Sequence, residues 1–364
     1  MAGGPLATVG RVGTREYDES TIDAEFWREV FGAEVSAGAP KRIGEGQVGM
    51  NLRYSLRSND ASVPSSVVVK MASPDPTSRA TGISLRNYER EVLFYKELVD
   101  TVDVRSPRCW FADWHPEGGD IAIVLEDMAP CEQGDQIRGC GIDEARLAVD
   151  QLVRMQGPRW NDPTLWDIDW LQRRTDRSDT DRLSGLVAMV LPGFLETYTD
   201  AILRDVGPQG IDFLHTLAAS IPWYVSQKDE PFTITHGDFR LDNLLFATAS
   251  GGAPCAVVDW QTPGHGNGVA DLAYFIGAGL LPEDRRVHEW SLVEQYTTGI
   301  ASYGHEVDPA WVAAHYRREA ISGVIMAVVA SQIVGRTERG DRMFEVMATR
   351  HLLQGIENDS FVGL

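Results

Sequence analysis

The 364-residue sequence is poor in cysteine, short of positive charge and without long apolar runs, and each shortage excludes a class of protein. Its four cysteines, Cys109, Cys131, Cys140 and Cys255, are widely spaced and form no C-x-x-C pair, which speaks against a zinc site and against a disulfide framework. Reduced, mostly buried thiols are expected. Lysine and arginine number 33 against 53 aspartates and glutamates. The resulting formal charge of −20 repels a polyphosphate backbone, so no nucleic-acid partner is expected. No run of eighteen or more uninterrupted apolar residues occurs, and the segment MAGGPLATVGRVGTREYDES carries charges where a secretory signal needs an apolar stretch. A cytoplasmic protein with no membrane partner is the expectation. Neither an internal repeat nor a low-complexity tract interrupts the chain.

What is present is an ordinary globular composition, 43% apolar, in a chain long enough for two lobes. A short helix is expected from Asp23 to Phe31. The segment Arg42-Ile-Gly44-Glu-Gly46-Gln-Val-Gly49 precedes Leu52, Tyr54 and Leu56, which alternate with polar residues as a half-buried strand does. The glycines therefore belong to a β-hairpin. Ser65 to Met71 is β-branched and apolar and predicts a central strand; Pro74 and Pro76 then break the chain before a long helix from about Ile83 to Val102. Leu85, Tyr88, Val92, Tyr95 and Val99 form its buried stripe. Two further strands, Arg108 to Trp114 and Ile121 to Glu126, lead into the connector Glu126-Asp-Met128-Ala-Pro130. Beyond Ile142 helical periodicity dominates, broken by one β-rich insert from Thr233 to Asp259. The expected organisation is α+β: a β-rich lobe over residues 1–130 and a larger, mainly helical lobe over 131–364.

Three features carry chemistry. Gly44, Gly46 and Gly49 fit G-x-G-x-x-G, and because a strand follows where a dinucleotide site needs a helix, a glycine hairpin over nucleotide phosphates fits better. Lys70 interrupts the apolar strand VVVK and needs a partner or a phosphate to offset its desolvation. On the following helix Glu91 falls within the arc of Tyr88, Val92, Tyr95 and Leu98, which makes it the natural mate. The sharpest signal is His236-Gly-Asp238-Phe-Arg240-Leu-Asp-Asn243, followed by Asp259 at the end of the strand Ala256-Val-Val. An aspartate, an amide five residues on and a second aspartate after a short strand offer a base and two oxygen ligands for Mg²⁺.

In this order the motifs resemble the aminoglycoside phosphotransferase and choline kinase superfamily, and HGDFRLDNLLF with VVDWQTPGHGNGVADLAYFIG most resembles its ecdysteroid-kinase-like and related bacterial branch. The resemblance implies a bilobal, protein-kinase-like fold and an ATP- and Mg²⁺-dependent kinase. It implies Asp238 as catalytic base, Asn243 and Asp259 as magnesium ligands, and Lys70 with Glu91 as the phosphate-positioning pair. Glu126 to Met128 become the adenine-binding connector, through backbone groups. His236 is expected to orient the loop, and Asp271 to cap its helix or brace that loop. Arg240 either neutralises the transferring phosphate or pairs with Asp242 or Asp271. His236-Gly-Asp238 stands where protein kinases have H-R-D, Asp259-Trp260-Gln261 stands for D-F-G, and no A-P-E follows, so a protein substrate is not supported.

The acceptor is then the hydroxyl of a small molecule, chosen by the region between Trp160 and Trp223. Trp160, Trp166, Trp170 and Trp223 suit a steroid, a hydroxyacyl thioester or a similar alcohol, although core packing is the commoner fate of tryptophan. Asp162, Asp167 and Asp169 suit an amine-bearing antibiotic. A non-catalytic nucleotide-binding module is a third reading, and GTP a second possible donor.

Overall fold

The computed structural model describes residues 16–44, 48–116, 119–173 and 180–364. Gly46 lies outside them. The chain divides into two compact units: residues 1–100, 106–129 and 259–261 in the first, and 101–105, 130–258 and 262–364 in the second.

The first unit opens with helix α1 (Ala24–Phe31), whose N-cap Asp23 accepts the N–H groups of Glu25 and Phe26. Strands β1 (Ser36–Ala37), β2 (Lys41–Ile43), β3 (Gly49–Arg57) and β4 (Ser66–Ala72) follow. Helices α2 (Pro76–Ser84) and α3 (Asn87–Leu93) precede β5 (Cys109–Trp114) and β6 (Ile121–Glu126). The sheet runs β1-β3-β4-β6-β5, with β2 also on β3, and all of these pairings are antiparallel. β2 and β3 form the expected hairpin, with Ile43 opposite Asn51. Leu52, Tyr54, Leu56, Val67, Val69 and Met71 share a core with Phe26 and Trp27 of α1. Period-two alternation turns Lys70 to the opposite face of β4.

The long helix expected from Ile83 is corrected. Pro76 starts a helix instead of preventing one, because the first helical position needs no N–H and Asp75 caps it through Ser78 N. The chain then breaks at Arg86, which adopts a left-handed φ of 57°, and α3 begins on a new phase. Leu85 consequently lies outside the stripe and is 48% exposed. A π-turn at Phe94–Leu98 shifts the phase once more, so that Phe94, Tyr95 and Leu98 are all buried while Val99 is half-buried.

The second unit holds β7 (Glu132–Gln133), α4 (Ile142–Gln156), β8 (Gln172–Arg173), α5 (Thr180–Asp205), α6 (Pro208–Ser226), β9 (Thr233–Thr235), β10 (Leu244–Thr248), β11 (Gly251–Val257) and β12 (Gly264–Gly266). It ends in α7 (Val269–Gly279), α8 (Pro282–Ala301), α9 (Pro309–Ile333) and α10 (Glu338–Glu357). Two small sheets, β11-β10-β7 and β8-β12-β9, frame the segment between β9 and β10. α5 is long and apolar enough to cross a membrane by length and composition, with a mean hydropathy of 1.4. Its Val187, Leu191, Phe194, Tyr198 and Ile202 are instead buried in a core shared with α6, α7, α9 and α10. All four cysteines are free thiols, two buried and two half-buried.

Candidate active site

In the first unit, burial and charge converge on Lys70. Its Nζ lies 2.8 Å from Glu91 and 2.5 Å from Asp259 Oδ1, and Lys70 and Glu91 are 6% and 1% exposed. Burial alone would lower the Lys70 pKa, but the Asp259 and Glu91 carboxylates override it and raise it. Burial raises the Glu91 pKa in turn, with Asp259 adding to the effect while Lys70 and Gln261 oppose it. Gly49 is where the backbone comes closest: a Cβ there would stand 3.2 Å from Lys70 Cε and 3.3 Å from the Met71 carbonyl. Gly44 takes a left-handed φ of 67°, which glycine adopts without strain.

Asp259 has φ 67°, a conformation aspartate tolerates better than most side chains. The next residue anchors it. Trp260 is fully buried, stacks on Phe94 at 3.8 Å and donates from Nε1 to Ser106 Oγ at 3.0 Å. At the connector, Glu126 is tied to Arg108 twice, through its N–H at 2.8 Å and its Oε2 at 3.0 Å. Met128 is 9% exposed.

In the second unit β9 delivers His236, Gly237 and Asp238. Asp271, near the start of α7, accepts the N–H of His236 at 2.7 Å and of Gly237 at 2.9 Å, so it braces this loop. His236 is fully buried. Its Nε2 meets the Val258 carbonyl at 3.1 Å, and a carbonyl only accepts, so Nε2 carries the proton and Nδ1 accepts the Asp238 N–H at 3.3 Å. With both nitrogens engaged, His236 holds the loop in shape and has no nitrogen left for proton transfer.

The Asp238 carboxylate receives three donors. Arg240 Nε lies 3.0 Å from both oxygens, Asn243 Nδ2 is 3.0 Å from Oδ2, and the Tyr274 hydroxyl is 3.0 Å from Oδ1. Arg240 also reaches Asp242 at 2.7 Å, and Asp271 is not among its partners. Burial works against the Arg240 charge, but Asp238, Tyr274 and Asp242 override it and raise the pKa. Asp242 is gripped by Arg339 at 2.9 and 3.0 Å and by the Gln136 N–H.

Sequence reasoning missed Tyr274, Gln136 and Arg339. For Tyr274 a signal existed, since it lies three residues past Asp271 on the same helix face. Gln136 and Arg339 carry none, being polar residues 102 and 101 positions from Asp238 in opposite directions along the chain.

Whether Asn243 and Asp259 suit a magnesium ion turns on the kind of oxygen each offers. Asn243 spends its amide N–H groups on the Asp238 carbonyl and carboxylate, at 2.8 and 3.0 Å, and among the described residues its Oδ1 takes no hydrogen bond. Asp259 contributes a carboxylate whose side chain is 35% exposed. Hard oxygen donors of this kind suit Mg²⁺. Among the described residues no three His, Cys, Asp or Glu side chains form a group that could hold a metal ion. Trp160 and Trp170 are buried and Trp223 is half-buried, whereas Trp166 is 46% exposed and lines a cavity of about 240 Å³ with Phe232, His265, Asn161, Asp162 and Glu230.

Residues 141–315, which include the Asp238 loop and Asp271, match the model described as Phosphotransferase enzyme family. A choline kinase from Cryptosporidium parvum is similar in structure, with TM-score 0.53, 11% identity and 90% of each chain covered, and it shows a kinase-like α+β fold. A ternary complex of aminoglycoside phosphotransferase APH(4)-Ia with AMP-PNP and hygromycin B matches at TM-score 0.45 and 13% identity, over 94% of this chain and 100% of the other. Among curated proteins, mouse (Mus musculus) acyl-CoA dehydrogenase family member 10 is 33% identical over 92 residues, 25% of this chain. The match spans only 8% of that relative's length.

Proposed function

We propose that the protein is an ATP- and Mg²⁺-dependent kinase that phosphorylates a hydroxyl of a small molecule, with Asp238 as base. The observation that carries this reading is the Asp238 loop itself: a carboxylate oriented by Arg240, Asn243 and Tyr274, on a backbone clamped by Asp271. Such an oriented carboxylate accepts the alcohol proton while the alcohol oxygen bonds to the γ-phosphorus and the bond to ADP breaks. Lys70, held charged by Glu91 and Asp259, is suited to grip the α- and β-phosphates. Asn243 and Asp259 would hold Mg²⁺, which supplies charge neutralisation on the phosphates. Backbone groups of Glu126 to Met128 would take the adenine. Arg240, already committed to Asp238 and Asp242, serves the base more directly than the phosphate.

For the acceptor, an apolar alcohol or hydroxyacyl thioester is supported by the aromatic wall of Trp166 and Phe232, and by a mouse relative named for acyl-CoA chemistry. The motif spelling supports the ecdysteroid-kinase-like branch. Asp238→Asn is expected to bind Mg²⁺-ATP as the wild type does and to transfer no phosphate. Near-normal turnover in that variant contradicts the assignment of the base.

A further inference from the structure

We propose that Tyr274 is a positioning residue for the Asp238 carboxylate, an inference that rests on Asp238 being the base. α7 performs two jobs from one face. Asp271 grips the backbone of His236 and Gly237, and Tyr274, one turn later, donates its hydroxyl to Asp238 Oδ1 at 3.0 Å. Burial, reinforced by the Asp238 charge, raises the phenol pKa well above its ordinary value, so the hydroxyl stays a donor throughout the working range.

The ring itself is fixed from behind. His351 of α10 lies parallel to it, with centroids 5.3 Å apart and planes within 13°. Burial lowers the His351 pKa to about 4, so the stacked imidazole is neutral. Gly277 and Gly323 make room for this arrangement, since a Cβ at either would collide with the His351 ring.

Counting protons gives the carboxylate its chemistry. Arg240 Nε shares one N–H between both oxygens, Asn243 gives one N–H to Oδ2 and Tyr274 gives one O–H to Oδ1. Each oxygen thus takes two contacts and all of the roughly four lone-pair sites are touched, so an incoming alcohol proton takes over from the shared Arg240 N–H. Without the tyrosine the group is held from the Arg240 and Asn243 side alone and can rotate.

Tyr274→Phe keeps the ring and its stack and deletes the hydroxyl. Phosphate release from Mg²⁺-ATP, with water as acceptor, is expected to show kcat lowered about tenfold or more, the usual worth of a hydrogen bond to a charged group, with KM for ATP within about twofold. A second readout needs no turnover. Asp238, whose side chain is 24% exposed, is labelled by carbodiimide and glycine ethyl ester and followed by peptide mass spectrometry, and labelling should quicken severalfold in the variant. The double variant with Asp238→Asn should be no slower than Asp238→Asn alone. Unchanged labelling in Tyr274→Phe overturns the positioning role, as does unchanged kcat where turnover is measurable, and either leaves the base assignment standing if Asp238→Asn is inactive. Retained turnover in Asp238→Asn overturns the base assignment and this inference with it.

Discussion

Replacing Lys70 with methionine keeps most of the side chain's volume and removes its charge. Glu91, 1% exposed, then remains in the first unit without its cation and with the Asp259 carboxylate nearby. Breaking a buried ion pair by deleting one partner costs about 3–5 kcal/mol, provided the survivor stays ionised. Glu91 need not stay ionised, because burial already raises its pKa above the ordinary carboxylate range and the Asp259 charge adds to this. A folded-state pKa above the unfolded one means the folded protein binds more protons within that window, so both proteins lose stability as pH rises from 5 to 8, and the variant loses more because deleting Lys70 removes a charge that holds the Glu91 pKa down. Lys70 in the wild type has a raised pKa and is charged in folded and unfolded chains at both pH values, so its own titration adds nothing to the comparison. Urea denaturation should therefore show a deficit of about 4 kcal/mol at pH 8, smaller at pH 5 by at least about 1.4 kcal/mol, the equivalent of one pKa unit. A deficit below about 1 kcal/mol at pH 8, or the same deficit at both pH values, refutes the reasoning.

Other perturbations test the second unit. Asp271→Ala strips the acceptors from the His236 and Gly237 N–H groups and should cost about 4 kcal/mol in thermal or chemical denaturation, together with phosphate transfer. Gly323→Ala drives a methyl into the His351 ring and should destabilise by about 1–2 kcal/mol, after the helix propensity gained by alanine is allowed for. For Asp242, burial pushes the pKa up, but Arg339 and Arg240 override it and hold it below the ordinary value of 3.8. That contribution is present above the ordinary value and lost as pH falls through the lowered one. Arg339→Ala should cost about 1 kcal/mol at neutral pH, discounted because Arg339 is 45% exposed, and its acid-unfolding transition should begin at higher pH than in the wild type.

The sequence made legible what its periodicity and its order of motifs encode. Alternation at Leu52, Tyr54 and Leu56 placed β3, and the β-branched run from Ser65 to Met71 placed β4, while the turning of Lys70 away from Val67, Val69 and Met71 came from the structure. The helical projection that selected Glu91 survived because Glu91 lies after the break, on the same short helix as Tyr88 and Val92. Leu85 lies before the break, and no propensity announces an arginine in a left-handed conformation. The π-turn at Phe94 was hidden for a related reason: one extra residue per turn leaves the composition unchanged and alters only the phase. Asp271 was left between capping its helix and bracing the loop, and its bonds to the His236 and Gly237 N–H groups show the brace. Arg240 was left between two roles because its choice depends on Asp238 and Asp242 as they stand in three dimensions, and the Arg339 and Gln136 grip on Asp242 depends on tertiary packing that local pattern does not carry.

The most direct test of the central claim is transfer of the γ-phosphate of ATP, with Mg²⁺, to a mixed panel of hydroxyacyl thioesters, hydroxysteroids, choline and aminoglycosides, with Asp238→Asn as the blank. The account predicts a phosphorylated hydroxyacyl thioester or hydroxysteroid that forms with the wild type and is absent with the variant. Equal product from both proteins would contradict it.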